Sequence, residues 1–125
     1  MNDYRLAVLA KDLTRADIFE ALEARRFYAT MDKNLALSFT IAGQEMGSQV
    51  PSGVHKMAVE AFNTTGQAIT RVTLIKNGKP MDAWDAKKKH WKQTHNTVAT
   101  AGDYFYVVVA QENGLEAISS PIWVG

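Results

Sequence analysis

The sequence predicts a mainly β domain: an antiparallel β-sandwich of about seven to nine short strands, preceded by one α-helix over about residues 15–26. Three observations predict it. Tyr104-Phe-Tyr-Val-Val-Val-Ala110 is an unbroken aromatic and β-branched run between Gly102-Asp103 and Glu112-Asn113-Gly114, which reads as a central strand buried on both faces. Leu35, Leu37, Phe39 and Ile41 alternate with Ala36, Ser38 and Thr40, the period of a half-buried strand. Turn signals recur throughout, the strongest being Asn77-Gly78, because a type I′ hairpin turn needs positive φ at both central positions.

The elements follow in order. Leu6 to Ala10 is an apolar knot whose local structure the pattern leaves open. Thr14 and Asp17 form a capping box, with Leu13 and Ile18 placed as a hydrophobic staple. Ile18, Phe19 and Leu22 then make a helical stripe, with acids early and Arg25 and Arg26 late, as the helix dipole favours. Loss of the Thr14 cap should cost about 1 kcal/mol, and truncation of a buried Leu22 ~2–5 kcal/mol. After Leu35–Ile41, a short return strand is expected over Glu45–Val50, broken by Pro51-Ser52-Gly53. His55, Met57, Val59 and Ala61 share a face of the next strand, and Ile69–Lys76 is another. Lys79–Trp84 returns from the Asn77-Gly78 turn, with Pro80 marking an edge. Asp85–Asn96 is polar and lysine-rich and is read as a loop, with Thr97–Thr100 a short strand after it. Asn113-Gly114 turns into Glu116–Ser119, and Trp123, in the apolar end of the chain, is assigned to the core. Gly102-Asp103-Tyr104 at the head of the central strand resembles the tyrosine corner of immunoglobulin-like sandwiches.

Composition sets bounds. The chain has 125 residues, 46% apolar and 22% charged, an ordinary globular balance for one domain. A net charge of +1 gives no global field for nucleic acid or an anionic membrane. The absence of cysteine removes disulfides, thiolate metal sites and cysteine nucleophiles together. It leaves the compartment open, a periplasmic or secreted setting included; any export signal would lie upstream. Leu6–Ala10 is too short to span a membrane.

Thr14-Arg-Ala-Asp-Ile-Phe-Glu-Ala-Leu-Glu-Ala-Arg-Arg-Phe-Tyr-Ala-Thr30, followed by Ile41-Ala-Gly-Gln-Glu-Met-Gly47, Leu74-Ile-Lys-Asn-Gly78, Tyr104–Gln111 and Ser119-Ser-Pro-Ile-Trp-Val124, resembles the C-terminal part of one branch of the PHP (polymerase and histidinol phosphatase) superfamily, the carbaryl-hydrolase-like metallohydrolases. The resemblance implies a β-sandwich (31–125) joined by an N-terminal segment and helix (1–30) to a catalytic barrel outside this chain. That barrel would hold two or three divalent metal ions on histidines and aspartates. The aspartate-x-histidine motif that should precede the helix has no counterpart in Asn2-Asp3-Tyr4-Arg5, and the histidine-x-histidine motif has none anywhere. The resemblance therefore carries no catalytic residue, metal ligand or cofactor into this chain. The expected partner is the upstream catalytic domain, or a second copy of the chain through Leu6, Val8 and Leu9, which otherwise would be mobile.

Candidate sites outside the resemblance are sparse. His90 and His95 lie five apart in a polar stretch without a nearby third ligand, where a zinc site needs about four; solvent-exposed histidines are the simpler reading. Gly47-Ser48 lacks the frame of a nucleophile elbow, and Gly43–Ser48 the spacing of a P-loop. Trp84, Lys88 and Trp91 form a candidate surface patch, a platform for a sugar or for single-stranded nucleic acid. A solvated loop whose charge is offset by Asp82 and Asp85 is the reading preferred, so nucleic acid is not the expected partner. Arg25, Arg26 and Tyr28 sit where the family's helix leaves the barrel. They are candidates for contacting a phosphate-like substrate or the neighbouring domain, or equally serve as dipole-compensating arginines and a packed tyrosine.

Overall fold

The computed structural model describes residues 5–8, 27–32 and 34–125. The expected helix over 15–26, with Arg25 and Arg26, lies outside them. Among the described residues the chain forms twelve strands and no helix.

The larger sheet is organised around β10 (Tyr104–Gln111). One edge of β10 pairs along its length with β7 (Ile69–Lys76), which in turn pairs with β8 (Lys79–Lys88). Its other edge is shared. β11 (Glu116–Ser119) takes Val108 to Ala110, and β12 (Ile122–Val124) takes Tyr104 and Phe105. From β11 the sheet continues to β2 (Phe27–Thr30) and β1 (Arg5–Val8). From β12 it continues to β5 (Gln49–Val50), the one parallel pairing in this sheet among the described residues. The second sheet runs β4 (Gln44–Glu45), β3 (Leu35–Ile41), β6 (Gly53–Asn63), β9 (His90–Ala99), all antiparallel.

The two sheets face each other across one apolar core. β3 contributes Leu35, Leu37, Phe39 and Ile41, and β6 Met57, Val59 and Ala61; Ile69, Val72 and Leu74 of β7 and Phe105, Val107 and Val109 of β10 meet them. Period-two alternation puts each set on one face. β10 is central, as its composition required, but is buried on one face only. Tyr104, Tyr106, Val108 and Ala110 are half-buried on the other, where Tyr104 stacks on Tyr106 and lies 5.3 Å from Trp123. Trp123 is outward and 38% exposed, because the β12 register aims Ile122 and Val124 inward instead.

The largest departure from expectation is Asp85–Asn96. It is not a loop: β8 runs on to Lys88, and β9 begins at His90. The chain crosses from one sheet to the other within Lys87-Lys88-Lys89, and Lys87 takes a left-handed φ of 65° to do so. Among the described residues both strands are edges, so most of their exposed positions are polar, Met81 and Val98 excepted, and the buried apolar pattern thins to Trp84, Ala86, Trp91 and Ala99. The Glu45–Val50 return is two separate two-residue strands, one in each sheet. The segment around Leu6 has a place in this chain's own sheet, where Arg5–Val8 pairs residue for residue with Phe27–Thr30.

The Asn77-Gly78 turn has the positive φ values expected of it, 54° and 82°. Its asparagine also holds the mouth of β10. The Asn77 side chain accepts a hydrogen bond from the Tyr104 N–H (3.0 Å) and donates one to Asp103 (2.9 Å). With the Thr100 N–H and Lys76 also directed at it, and with burial opposing them, the Asp103 carboxyl is held below its ordinary pKa.

Candidate functional site

Three polar constellations stand out, and they sit at different places on the sandwich. The first joins the sheets at one end. Asp32, in the link from β2 to β3, is buried and accepts hydrogen bonds from the side chains of Asn63 at the end of β6 (3.1 Å) and Gln111 at the end of β10 (3.2 Å). Asn63 also donates to Gln111 (2.5 Å), and its carbonyl oxygen accepts from Thr65 (2.8 Å). Burial alone would raise the Asp32 pKa. The backbone N–H of Asn34 and the amides of Gln111 and Asn63 together outweigh that, leaving the carboxyl below its ordinary 3.8. One oxygen of this carboxylate fixes the local turn at Asn34 and the other ties the ends of β6 and β10 together, a structural rather than a reactive arrangement.

The second lies between β8 and β9. The rings of Trp84 and Trp91 are 5.9 Å apart, and Trp84 meets the edge of His95 at 5.8 Å. His95 approaches Asp82 at 3.8 Å. The structure thus brings together two members of the candidate patch, Trp84 and Trp91, from opposite sheets. Trp91 is only 8% exposed and closes the core rather than offering a flat face to solvent. Lys88 is exposed on β8 beside Ile69 and is not part of the cluster. Tyr28 belongs to β2, opposite Ala7 and Ser119.

His90 and His95 cannot converge on one ion. An odd spacing along one strand sends them to opposite faces: His95 inward to Asp82, His90 outward to a contact with Glu60. Among the described residues no group of three or more histidine, cysteine, aspartate or glutamate side chains could hold a metal.

The third constellation is the outer face of the smaller sheet, where a shallow depression of ≈ 450 Å³ is lined by Ser38, Ala58, Glu60, Lys92 and Thr94. Register explains it. Ser38, Glu60 and Lys92 stand in one cross-strand row, and Ala58 and Thr94 face each other in the next. Small residues in the second row leave room beside the long side chains of the first. Reading 85–96 as a loop hid this site, since only the β6–β9 pairing brings Lys92 to Glu60. The available signal was the alternation of Trp91, His95, Thr97 and Ala99 with polar residues, overshadowed by the lysines.

No protein-family model matches the chain. The chain is similar to three uncharacterized proteins of chlamydiae. It is 26% identical to one from Chlamydia muridarum, 25% to one from Chlamydia trachomatis serovar D and 26% to one from Chlamydia pneumoniae. Each alignment covers 94% of this chain and 22% of the relative, so the chain spans about a fifth of the length of the proteins it matches. Among solved structures, the crystal structure of an engineered protein superposes on 72% of this chain and 20% of its own, with a TM-score of 0.43 and 15% identity.

Proposed function

We propose that this chain is a non-catalytic accessory β-sandwich, immunoglobulin-like in arrangement, that works as one module of a longer protein. Following the resemblance of its motifs, the parent is a PHP-type metal-dependent phosphoesterase or hydrolase, whose divalent ions sit in the upstream catalytic domain that this module braces or covers. The observation that carries the module reading is the span of the similarity: nearly all of this chain against about a fifth of each longer relative. The arrangement of polar groups supports it too, because the best-satisfied cluster, Asp32–Asn63–Gln111, is spent on holding strand ends. The test is hydrolysis of p-nitrophenyl phosphate and of its bis-ester by the purified chain in manganese or zinc. The expected result is a rate no greater than that of the metal in buffer. Saturable turnover that follows the protein through purification would end this reading.

The alternative is an independent glycan- or protein-binding module, favoured by the Ser38–Glu60–Lys92 depression. Because Trp91 is buried, its truncation reports on stability, and the surface test passes to Glu60 and Lys92. Glycan-array binding lost in both Glu60→Ala and Lys92→Ala would support this second reading; an empty array would remove its glycan arm.

A further inference from the structure

We propose that the free edge of β9 is a docking site for an extended, acidic segment of another polypeptide, which adds to the smaller sheet as a further strand. The inference goes beyond the accessory role and holds whatever the rest of the parent protein does.

The backbone directions follow from hydrogen bonds at either end of β6. The Lys56 carbonyl accepts from the Ala42 N–H (2.9 Å), so even-numbered residues of β6 are directed at β3 and odd-numbered ones at β9. Asn63 N–H accordingly donates to the carbonyl of Lys89 (2.8 Å). Register pairs odd with odd across β6 and β9. The N–H and C=O groups of His90, Lys92, Thr94, Asn96 and Val98 therefore point away from the sheet. Among the described residues no strand pairs with them. Two of those carbonyls accept from side chains instead: Thr94 from the Gln93 amide (3.2 Å) and Val98 from Lys76 (3.4 Å). Both donors are displaceable, and Lys76 has Asp103 within 3.5 Å as an alternative partner.

Among the described residues the edge is long, regular and uncovered. Its ten residues hold register with β6 without a shift, and none is proline or glycine. Such an edge is a template for strand addition unless something blunts it. What surrounds it selects by charge. Lys87, Lys88 and Lys89 lead into the strand, Lys92 stands on its outer face, Lys56 of the neighbouring β6 stands opposite Asn96, and Lys76 lies near its end. The nearby acids are engaged: Glu60 by His90, Asp82 by His95, and Asp103 by Asn77 and Lys76. A second basic edge, including that of another copy, meets like charge here; an acidic strand meets complementary charge. Val54 and Val98, opposite each other and 71% and 60% exposed, offer an apolar seat on the outer face at one end. The occupant is thus an extended segment of roughly seven to ten residues, at ~3.4 Å per residue, alternating acidic with β-branched side chains.

The probe is a synthetic decapeptide of alternating valine and glutamate, titrated into the ¹⁵N-labelled chain, with its valine–lysine counterpart as control. The expected result is saturable shifts and slowed hydrogen exchange at the amides of residues 90, 92, 94, 96 and 98, with the lysine peptide at least about tenfold weaker. Thr94→Pro removes an outward N–H that bonds nothing in β6, so the fold should survive and affinity should fall at least about tenfold. Should that variant unfold, Lys92→Glu keeps the strand and is expected to weaken the acidic peptide about threefold or more. No saturation at millimolar peptide would overturn the proposal. So would shifts confined to the odd-numbered amides, a dimer of the chain formed through β9, or saturation by oligothymidylate that is indifferent to Thr94→Pro.

Discussion

β8 and β9 are each ten residues long, each an edge strand among the described residues, and separated only by Lys89, yet the chain treats them differently. β8 shifts register twice against β7, carries Pro80 near its start, and takes a left-handed turn at Lys87, one residue before its end. Each of these features disrupts a regular edge. β9 has none of them and keeps register with β6 from His90 to Ala99. Their inner faces differ as well. β8 offers the half-buried Trp84, whereas β9 inserts Trp91 into the core. Two edges can therefore share a sandwich with separate duties, one finished against pairing and one left open to it.

The largest test of that contrast is truncation of the two tryptophans. Trp91→Ala should destabilise the chain by ~3–5 kcal/mol, the cost of emptying a buried aromatic site. Trp84→Ala, at a half-buried position, should cost about half as much. Urea unfolding followed by circular dichroism measures both. Equal losses would mean that the two edges are sealed alike and the contrast is superficial.

A comparable probe sits away from both edges. Asp32→Ala leaves the Asn63 and Gln111 amides short of an acceptor where the two sheets meet, at an expected cost of ~1–3 kcal/mol. Its pH dependence has a definite sign. The folded pKa lies below 3.8, so the carboxylate's contribution is fully present above the unfolded value and is lost as pH falls through the folded one. Wild type should lose stability over that acidic window more steeply than Asp32→Asn. Parallel pH profiles for the two proteins would show that the network does not act through charge.

A smaller effect of opposite sign belongs to β9. Among the described residues the buried hydroxyl of Thr97 has no hydrogen-bond partner, and Thr97→Val removes that polar atom while keeping the shape. A gain of about 1 kcal/mol is expected. A loss would mean that the hydroxyl is satisfied and that β9 is better finished on its inner side than its contacts indicate.

How much of this was legible in the sequence divides along the same line. Strands that bury a full face declared themselves: Leu35–Ile41, His55–Ala61 and Tyr104–Gln111 all emerge where alternation or apolar density placed them. The Asn77-Gly78 turn did so through backbone chemistry alone. Edges did not, because an edge strand is relieved of the need for apolar residues, and lysines at 87–89 and 92 resemble a loop as readily as an edge strand. The candidate patch was half legible for the same reason. Trp84 and Trp91 do meet, but only the crossing from one sheet to the other determines that Trp91 turns inward. The Glu60–Lys92 row was invisible, since it exists only through pairing between residues thirty-odd positions apart. Arg25 and Arg26 lie outside the described residues, and nothing in the fold bears on them.

The finest discrimination between the edges comes from the side-chain pairs that cross to them. Arg71 and Asp85 join β7 to β8 at 3.4 Å, with side chains 58% and 79% exposed; Glu60 and His90 join β6 to β9 with both about half exposed. Exposed pairs contribute ~0–1 kcal/mol because water and salt screen them and the side chains lose freedom. Double-mutant cycles should therefore give a coupling near zero for Arg71–Asp85 and a small coupling for the Glu60–His90 contact. The second pair matters to β9 for a further reason. It occupies an acid that would otherwise repel an incoming acidic strand. His90→Asn, which frees Glu60, should leave stability nearly unchanged and weaken binding of the valine–glutamate peptide, whereas Arg71→Gln, which frees Asp85 on the finished edge, should leave that binding as it was. If both substitutions change peptide affinity equally, the acids act through the net charge of the whole chain, and β9 has no field of its own.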